Sequence, residues 1–192
     1  TLFPISLILQ LLIKIKIKIF FPKKTPIPII CVGNIYLGGT GKTPLCILIA
    51  KSLMANKKKP AIIRKYYAIH EDEQILINQS IGFLYMAKKR FEAINKAVHD
   101  NRDVAILDDG FQDYTIKKDI NILCFNSNQL IGNGMTIPSG PLRENLSAIK
   151  RAKMVVINGK QNDNFEKKLL SISKKIKIFY SSYKPINIEE FK

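Results

Sequence analysis

The residues with the plainest chemical capacity lie in one run, Gly33-Asn34-Ile35-Tyr36-Leu37-Gly38-Gly39-Thr40-Gly41-Lys42-Thr43. Glycine-rich backbone can fold so that successive N–H groups converge on phosphate oxygens, and a helix starting at the end of the run adds partial positive charge there. Gly38, Gly39, Thr40, Gly41, Lys42 and Thr43 are therefore the candidate nucleotide-binding residues. Lys42 would reach the β- and γ-phosphates, and the Thr43 hydroxyl would ligate Mg²⁺. The strict pattern G-x-x-x-x-G-K-[ST] requires glycine where Tyr36 stands, so the loop is a variant. A second run, Val104-Ala105-Ile106-Leu107-Asp108-Asp109-Gly110, ends an apolar segment in two carboxylates. An acid at a strand's end can hold or orient Mg²⁺ across from the lysine–threonine pair, which makes Asp108 a metal candidate and Asp109 a catalytic one.

Such a loop works only between a strand and a helix, and the flanking sequence supplies both. Residues 27–32 form a short, bulky apolar run that ends at Gly33, the pattern of a buried parallel strand. Residues 44–54 have helical spacing of apolar positions, and Pro44 is tolerated in the first turn, where its missing N–H costs nothing. Further apolar runs occur at 61–63, 83–85, 104–107, 120–125, 154–157 and 176–180, with helix-like stretches at 87–99 and 165–171. Strands alternating with helices predict an α/β fold of the P-loop NTPase kind: a mostly parallel sheet, helices on both faces, and ligands beyond the carboxyl ends of the strands.

At 192 residues the chain is long enough for one core and short for two. An apolar fraction of 46% with 24% charged residues excludes a disordered or multi-span membrane chain. The net charge of +16 points to anionic partners such as phosphates or an acidic membrane surface, although surface lysine also has an ordinary solvating role. Nucleic acid is not expected, because no stripe interleaves aromatic with basic residues. Cys31, Cys46 and Cys124 are too scattered for a zinc site or a C-x-x-C pair and read as reduced, buried thiols of a cytoplasmic protein. The apolar start lacks an A-x-A-like cleavage site, so no removable signal is expected.

Residues 1–25 form a separate segment. Residues 2–13 are almost wholly apolar and lead into alternating Ile and Lys, with Lys14, Lys16, Lys18, Lys23 and Lys24 following closely. The apolar run is shorter than the roughly 20 residues needed to span a bilayer. It suits a segment lying in the membrane interface with its ammonium groups at anionic headgroups. The Lys/Ile alternation by itself would suit a strand, which leaves the conformation open.

Three blocks, in order, carry a resemblance to a known family. They are Pro28-Ile29-Ile30-Cys31-Val32-Gly33-Asn34-Ile35 continuing through Leu37-Gly38-Gly39-Thr40-Gly41-Lys42-Thr43-Pro44; Leu107-Asp108-Asp109-Gly110-Phe111-Gln112; and Ile137-Pro138-Ser139-Gly140-Pro141-Leu142-Arg143-Glu144, with Ser139 where alanine is usual. Together they resemble the tetraacyldisaccharide 4'-kinase (lipid A 4'-kinase) family, including its departure from the strict phosphate loop. The resemblance implies an ATP- and Mg²⁺-dependent kinase that transfers the γ-phosphate to the 4'-hydroxyl of an acylated glucosamine disaccharide 1-phosphate in lipid A biosynthesis. It also implies peripheral attachment to the cytoplasmic face of a bacterial inner membrane, and an anionic membrane surface as partner.

The same resemblance implies further site residues. Glu71-Asp72-Glu73-Gln74 stands where the family has Gly-Asp-Glu-Pro, which gives Asp72 the catalytic-base role and Glu73 a metal role. Arg64 matches the arginine of a Ser-Arg-Gly-Tyr-Gly element in which Lys65 and Tyr67 replace glycines, and Arg90 matches an arginine that precedes a helix. Asn34, Gln112, Arg143 and Glu144 fall in the matched blocks, and with Arg64 and Arg90 they are the implied substrate or phosphate contacts. Asp113 departs from the family, where histidine commonly follows Phe-Gln, and neither His70 nor His99 replaces it in position. The family's second lobe lies beyond Lys192, so the expectation is a kinase domain over 26–192 without that lobe. Two alternatives stand beside this reading. One is a membrane-associated P-loop ATPase of the partitioning type, against which Leu37 occupies the place of that group's signature lysine. The other is a nucleotide-binding remnant without kinase activity.

Overall fold

Seven short runs rich in Ile, Val and Leu become the strands of one parallel sheet: β1 (Ile29–Gly33), β2 (Pro60–Lys65), β3 (Leu84–Ala87), β4 (Val104–Asp108), β5 (Ile120–Asn126), β6 (Met154–Asn158) and β7 (Lys177–Ser181). The computed structural model describes residues 2–66 and 71–182, with the backbone alone at 71–73. The strand order is β3-β2-β4-β1-β5-β6-β7. β1, β4 and β5 sit inside the sheet and are covered on both faces, which is why they read as unbroken apolar runs rather than alternating ones. The chain builds outward from β1 through β2 and β3, returns to β4 on one side of β1, then crosses to β5 on the other. That reversal leaves a crevice at the carboxyl end of β1, where ligands bind in doubly wound sheets.

The helices are α1 (Phe3–Ile19), α2 (Lys42–Ala55), α3 (Glu71–Ile81), α4 (Arg90–His99) and α5 (Asp163–Ile172), with a 3₁₀ turn at Leu146–Arg151. α2 and α3 cover one face, where Leu45, Cys46, Ala50, Ile77 and Ile81 pack with Val32, Ile62, Ile106 and Cys124. α4, α5 and the 3₁₀ turn cover the other, where Ala93, Ile94, Ile149 and Leu169 pack with Ile29, Ile63, Leu107 and Phe125. The three cysteines are free and buried; burial pushes the Cys31 thiol up to about 11 and Cys124 to about 12, which keeps both protonated and inert.

Two segments take a conformation that their local pattern left open. Residues 71–74 carried a motif match with no element assigned to them, and they open α3. Its helical period is set by Ile77 and Ile81, and its opening acids Glu71, Asp72 and Glu73 suit the positive end of a helix dipole. The Ile/Lys alternation after residue 13 suited a strand, yet it continues α1, and no residue of that stretch reaches the sheet. Only Lys23, beyond the helix, pairs in parallel with Ile116. Among the described residues no helix is long and apolar enough to cross a membrane.

Candidate functional site

β1 ends at Gly33, where an added Cβ would lie 2.5 Å from Phe111 Cβ, so only glycine lets the strand end meet the turn after β4 this closely. The chain then bends at Ile35 and is bridge-paired at Tyr36 before entering the loop. Tyr36 forms an antiparallel bridge to Leu142, Leu37 N–H donates to the Pro141 carbonyl at 2.9 Å, and Arg143 N–H donates to the Ile35 carbonyl at 2.7 Å. This pairing explains the variant loop. Position 36 is paired and does not have a positive φ, so glycine is not needed there. It is needed at Gly38 and Gly41, whose φ angles are +126° and +81°. Gly41 leads into α2, whose start carries no side-chain cap, and a helix N-terminus of this kind suits an anion.

Asn34 holds the loop from inside. It is fully buried, and its Nδ2 donates to the Thr40 hydroxyl at 3.1 Å and the Gly38 carbonyl at 3.3 Å. Parallel register sets Val32 beside Asp108, so the end of β4 meets the start of α2. Thr43 Oγ1 donates to Asp108 Oδ2 at 3.0 Å, and Arg64 Nε, from the end of β2, lies 3.5 Å from the same oxygen. Asp108 is 2% exposed, and its Oδ1 has no hydrogen-bond partner among the described residues. Burial pushes its carboxyl above the usual range, against the pull of Arg64 and Thr43.

Asp109 adopts φ +55° and turns its carboxylate toward two cations. Lys42 Nζ lies 3.7 Å away, and Arg143 donates to both carboxylate oxygens at 3.1 Å. Burial would raise this carboxyl, but Lys42 and Arg143 outweigh it and hold it below the ordinary value. Arg90, at the start of α4, is buried and faces the backbone of the strand end: it donates to the Asp109 carbonyl at 2.7 Å, to the Asp108 carbonyl at 3.3 Å and to Asp113 at 3.3 Å. Gln112 donates to the Asn34 carbonyl at 2.9 Å and to Glu144 at 3.0 Å. Glu144 is buried and pairs with Arg151, whose guanidinium stacks over Phe111 and Tyr114.

The candidate residues thus fall into three groups. Lys42, Thr43, Arg64, Asp108, Asp109 and Arg143 converge at the loop. Asn34, Arg90, Gln112 and Glu144 lie directly behind it, with side chains bonded to protein groups. Asp72 and Glu73 open α3, but their side chains, like residue His70, lie outside the described residues. His99 is 91% exposed at the far end of α4. Two contributors, Asp113 and Arg151, were not among the candidate site residues. Asp113 was visible only as a departure after Phe-Gln, yet it anchors Arg90. Arg151 trails the third block by seven residues, and its pairing with Glu144 was the signal that no local pattern carries.

The donor set suits Mg²⁺. This hard cation is usually held by one or two protein oxygens with phosphate and water completing the shell. The Thr43 hydroxyl beside a carboxylate with an unpartnered buried oxygen matches that need. Among the described residues no group of three His, Cys, Asp or Glu gathers to form an all-protein cage.

Comparison with known proteins follows the same lines. The family model described as tetraacyldisaccharide-1-P 4'-kinase matches residues 1–191. The chain is 45% identical over 192 residues to the tetraacyldisaccharide 4'-kinase of Pelagibacter ubique, covering 99% of this chain and 60% of that protein. It is 35% identical over 163 residues to the enzyme of that name from Methylobacillus flagellatus, covering 75% and 49%. The chain therefore spans between about half and three-fifths of these relatives' lengths. Among solved structures it resembles the "apo" form of LpxK from Aquifex aeolicus in complex with ATP, with a TM-score of 0.71 at 20% identity over 97% of this chain and 85% of that one. The hydrogenase maturation factor HypB of Archaeoglobus fulgidus matches with a TM-score of 0.52 at 12% identity, covering 81% of each chain. At such identities these two matches establish the shared fold.

Proposed function

We infer, from the premise that this chain belongs to the tetraacyldisaccharide-1-P 4'-kinase family, that it binds ATP with Mg²⁺ at loop 38–43 and serves transfer of the γ-phosphate to the 4'-hydroxyl of a tetraacylated glucosamine disaccharide 1-phosphate. One observation carries the reading. Two strand-end carboxylates, Asp108 and Asp109, separately engage Thr43 and Lys42 at the start of the glycine-led helix. That is the geometry a nucleotide-bound divalent cation and its phosphates require.

Phosphoryl transfer asks for positioning and charge neutralisation more than covalent chemistry. The loop amides and the start of α2 would receive the β-phosphate. Lys42 and Arg143, both drawn to Asp109, are aimed at one point, so a triphosphate arriving there meets two oriented cations. Asp109 holds them in place until then. The Thr43 hydroxyl and Asp108 would hold Mg²⁺, with Glu73 added by resemblance; the ion, when bound, would neutralise charge on the phosphates. Asp72 is the proposed base for the acceptor hydroxyl, also by resemblance. Arg64 sits beside Asp108 at the edge of the same crevice.

α1 supports a place at the membrane. Phe3, Ile5, Leu7, Ile8, Leu11, Leu12 and Ile15 are each at least 43% exposed, and Lys14, Lys16 and Lys18 follow on the same helix. A helix of this kind lies in an anionic interface, as expected for a peripheral protein of the cytoplasmic face acting on an acyl-chain-bearing substrate. The test is transfer of labelled γ-phosphate from ATP and Mg²⁺ to the acylated disaccharide 1-phosphate in detergent micelles. Transfer that disappears in Lys42→Ala and in Asp72→Ala supports the kinase reading. Mg²⁺-dependent ATP binding without transfer would leave a nucleotide-binding module, and no binding would refute the site.

A further inference from the structure

α1 is bonded to the domain through two polar side chains, Ser6 and Gln10, while most of its apolar side chains and its lysines are exposed. Ser6 is its one buried residue, and only Gln10 and Ile13 are half-buried, one and two turns further on. The Ser6 hydroxyl donates to the Thr136 carbonyl at 3.0 Å, is hydrogen-bonded to the Ser139 hydroxyl at 2.9 Å and accepts from Ser139 N–H at 3.2 Å. Gln10 Oε1 accepts from Asn145 N–H at 3.1 Å. Segment 136–145 is thus tied to α1 at both of its ends.

Between those ties the same segment grips the phosphate loop. Pro141 and Leu142 pair with Leu37 and Tyr36, Arg143 N–H bonds to Ile35, and the Arg143 guanidinium reaches Asp109. One strap therefore touches α1, the loop and the cations gathered around Asp109. Packing contributes little to its hold on α1, because a cavity of about 420 Å³ lies between them, lined by Phe3, Leu7, Leu11, Met135 and Thr136. The hydrogen bonds also set register. A slip of one residue along α1 would bring an apolar side chain, Ile5 or Leu7, to the Thr136 carbonyl and lose the Ser6 bonds.

We propose that Ser6 and Gln10 are positioning residues that transmit docking of α1 on an anionic membrane to the phosphate loop through strap 136–145. The proposal rests on the interfacial reading of α1 given above. A single helix of this length with few tertiary contacts is marginal in water. Adsorption of its apolar face orders it, which holds Ser6 and Gln10 in register and orders the strap before nucleotide arrives. Membrane and nucleotide then favour each other by the same factor.

The experiment uses the full chain and vesicles of phosphatidylglycerol with phosphatidylethanolamine. Co-sedimentation reads membrane binding, and a fluorescent ATP analogue with Mg²⁺ reads Kd with and without vesicles. For the unmodified chain, vesicles are expected to tighten nucleotide binding by about fivefold, the lower end of ordinary coupling between sites. Ser6→Ala is expected to sediment with vesicles and bind nucleotide in solution as the unmodified chain does, but to lose the vesicle response. Ser139→Ala keeps its N–H bond to Ser6 and should lose only part of it. Sedimentation without any change in Kd overturns the proposal, and so does a full response in both variants. A Ser6→Ala chain that loses solution binding or melts early has a structural defect at this position, which also overturns it. Failure of the unmodified chain to sediment refutes the interfacial reading and the proposal with it, whereas failure to bind nucleotide refutes the ATP site to which the strap would couple.

Discussion

Arg90 offers the sharpest test of how the strand end is built. Its guanidinium makes three hydrogen bonds, to the Asp109 and Asp108 carbonyls and to Asp113, from a position only 8% exposed. Replacing it by methionine keeps the apolar stem and removes every donor. Two carbonyls then lose a partner, and Asp113, itself 17% exposed, loses its cation. Breaking a buried pair from one side costs about 3–5 kcal/mol, and residual solvent at Asp113 places this case near the lower figure. For a chain of this size each kcal/mol lowers Tm by about 2–4 °C, so Arg90→Met should melt about 6–12 °C lower. Arg90→Lys should recover part of the loss, because one ammonium cannot replace a planar fork facing three acceptors. Thermal unfolding followed by circular dichroism, with and without Mg²⁺ and an ATP analogue, measures both stability and binding. Below its lowered Tm the variant should bind nucleotide with little change. An unchanged Tm together with a tenfold loss of affinity would refute this reasoning and make Arg90 a ligand contact, as the resemblance implied.

Asp108→Asn should remove Mg²⁺-dependent nucleotide binding, by more than about tenfold in calorimetry. It should hold or raise Tm at neutral pH, because burial raises the Asp108 carboxyl and its ionised form opposes folding once pH exceeds the folded pKa. Asp109 and Asp113 behave in the opposite sense. Both are held below the ordinary 3.8, so their stabilisation is complete above that value and is lost as pH falls through their lower folded values. An acid titration followed by circular dichroism should therefore show unfolding begin below about pH 4, and Asp113→Asn should flatten the curve. Gly33→Ala would drive a Cβ against the Phe111 Cβ at 2.5 Å and its backbone nitrogen at 3.1 Å. The expected cost is about 1–3 kcal/mol, read as a lower urea midpoint.

Much of this architecture was legible before any coordinates. β1, α2, β4 and β5 follow from apolar runs and helical spacing, and the loop between β1 and α2 follows from its glycines and Lys42-Thr43. These are local properties. A strand buried on both faces needs a continuous apolar run, and a positive φ needs glycine, so each leaves a mark within a few residues of itself. α3 was missed because its acids resembled a motif more than a helix start, and α1 stayed undecided because a short alternation of Ile and Lys satisfies a strand as well as a helix whose apolar side chains are exposed.

What the sequence determined alone was the identity of the phosphate grip: loop 38–43, the helix behind it, and two acids at the end of an apolar strand. What only the tertiary structure decided was which of the other polar residues face that grip and which brace it. Gln112 reaches Asn34 across 78 residues and Glu144 across 32, Arg143 reaches Asp109 across 34, and Ser6 reaches Ser139 across 133. Contacts of that separation follow from strand order and register, which arise when the whole core closes, and no periodicity of neighbouring residues encodes them.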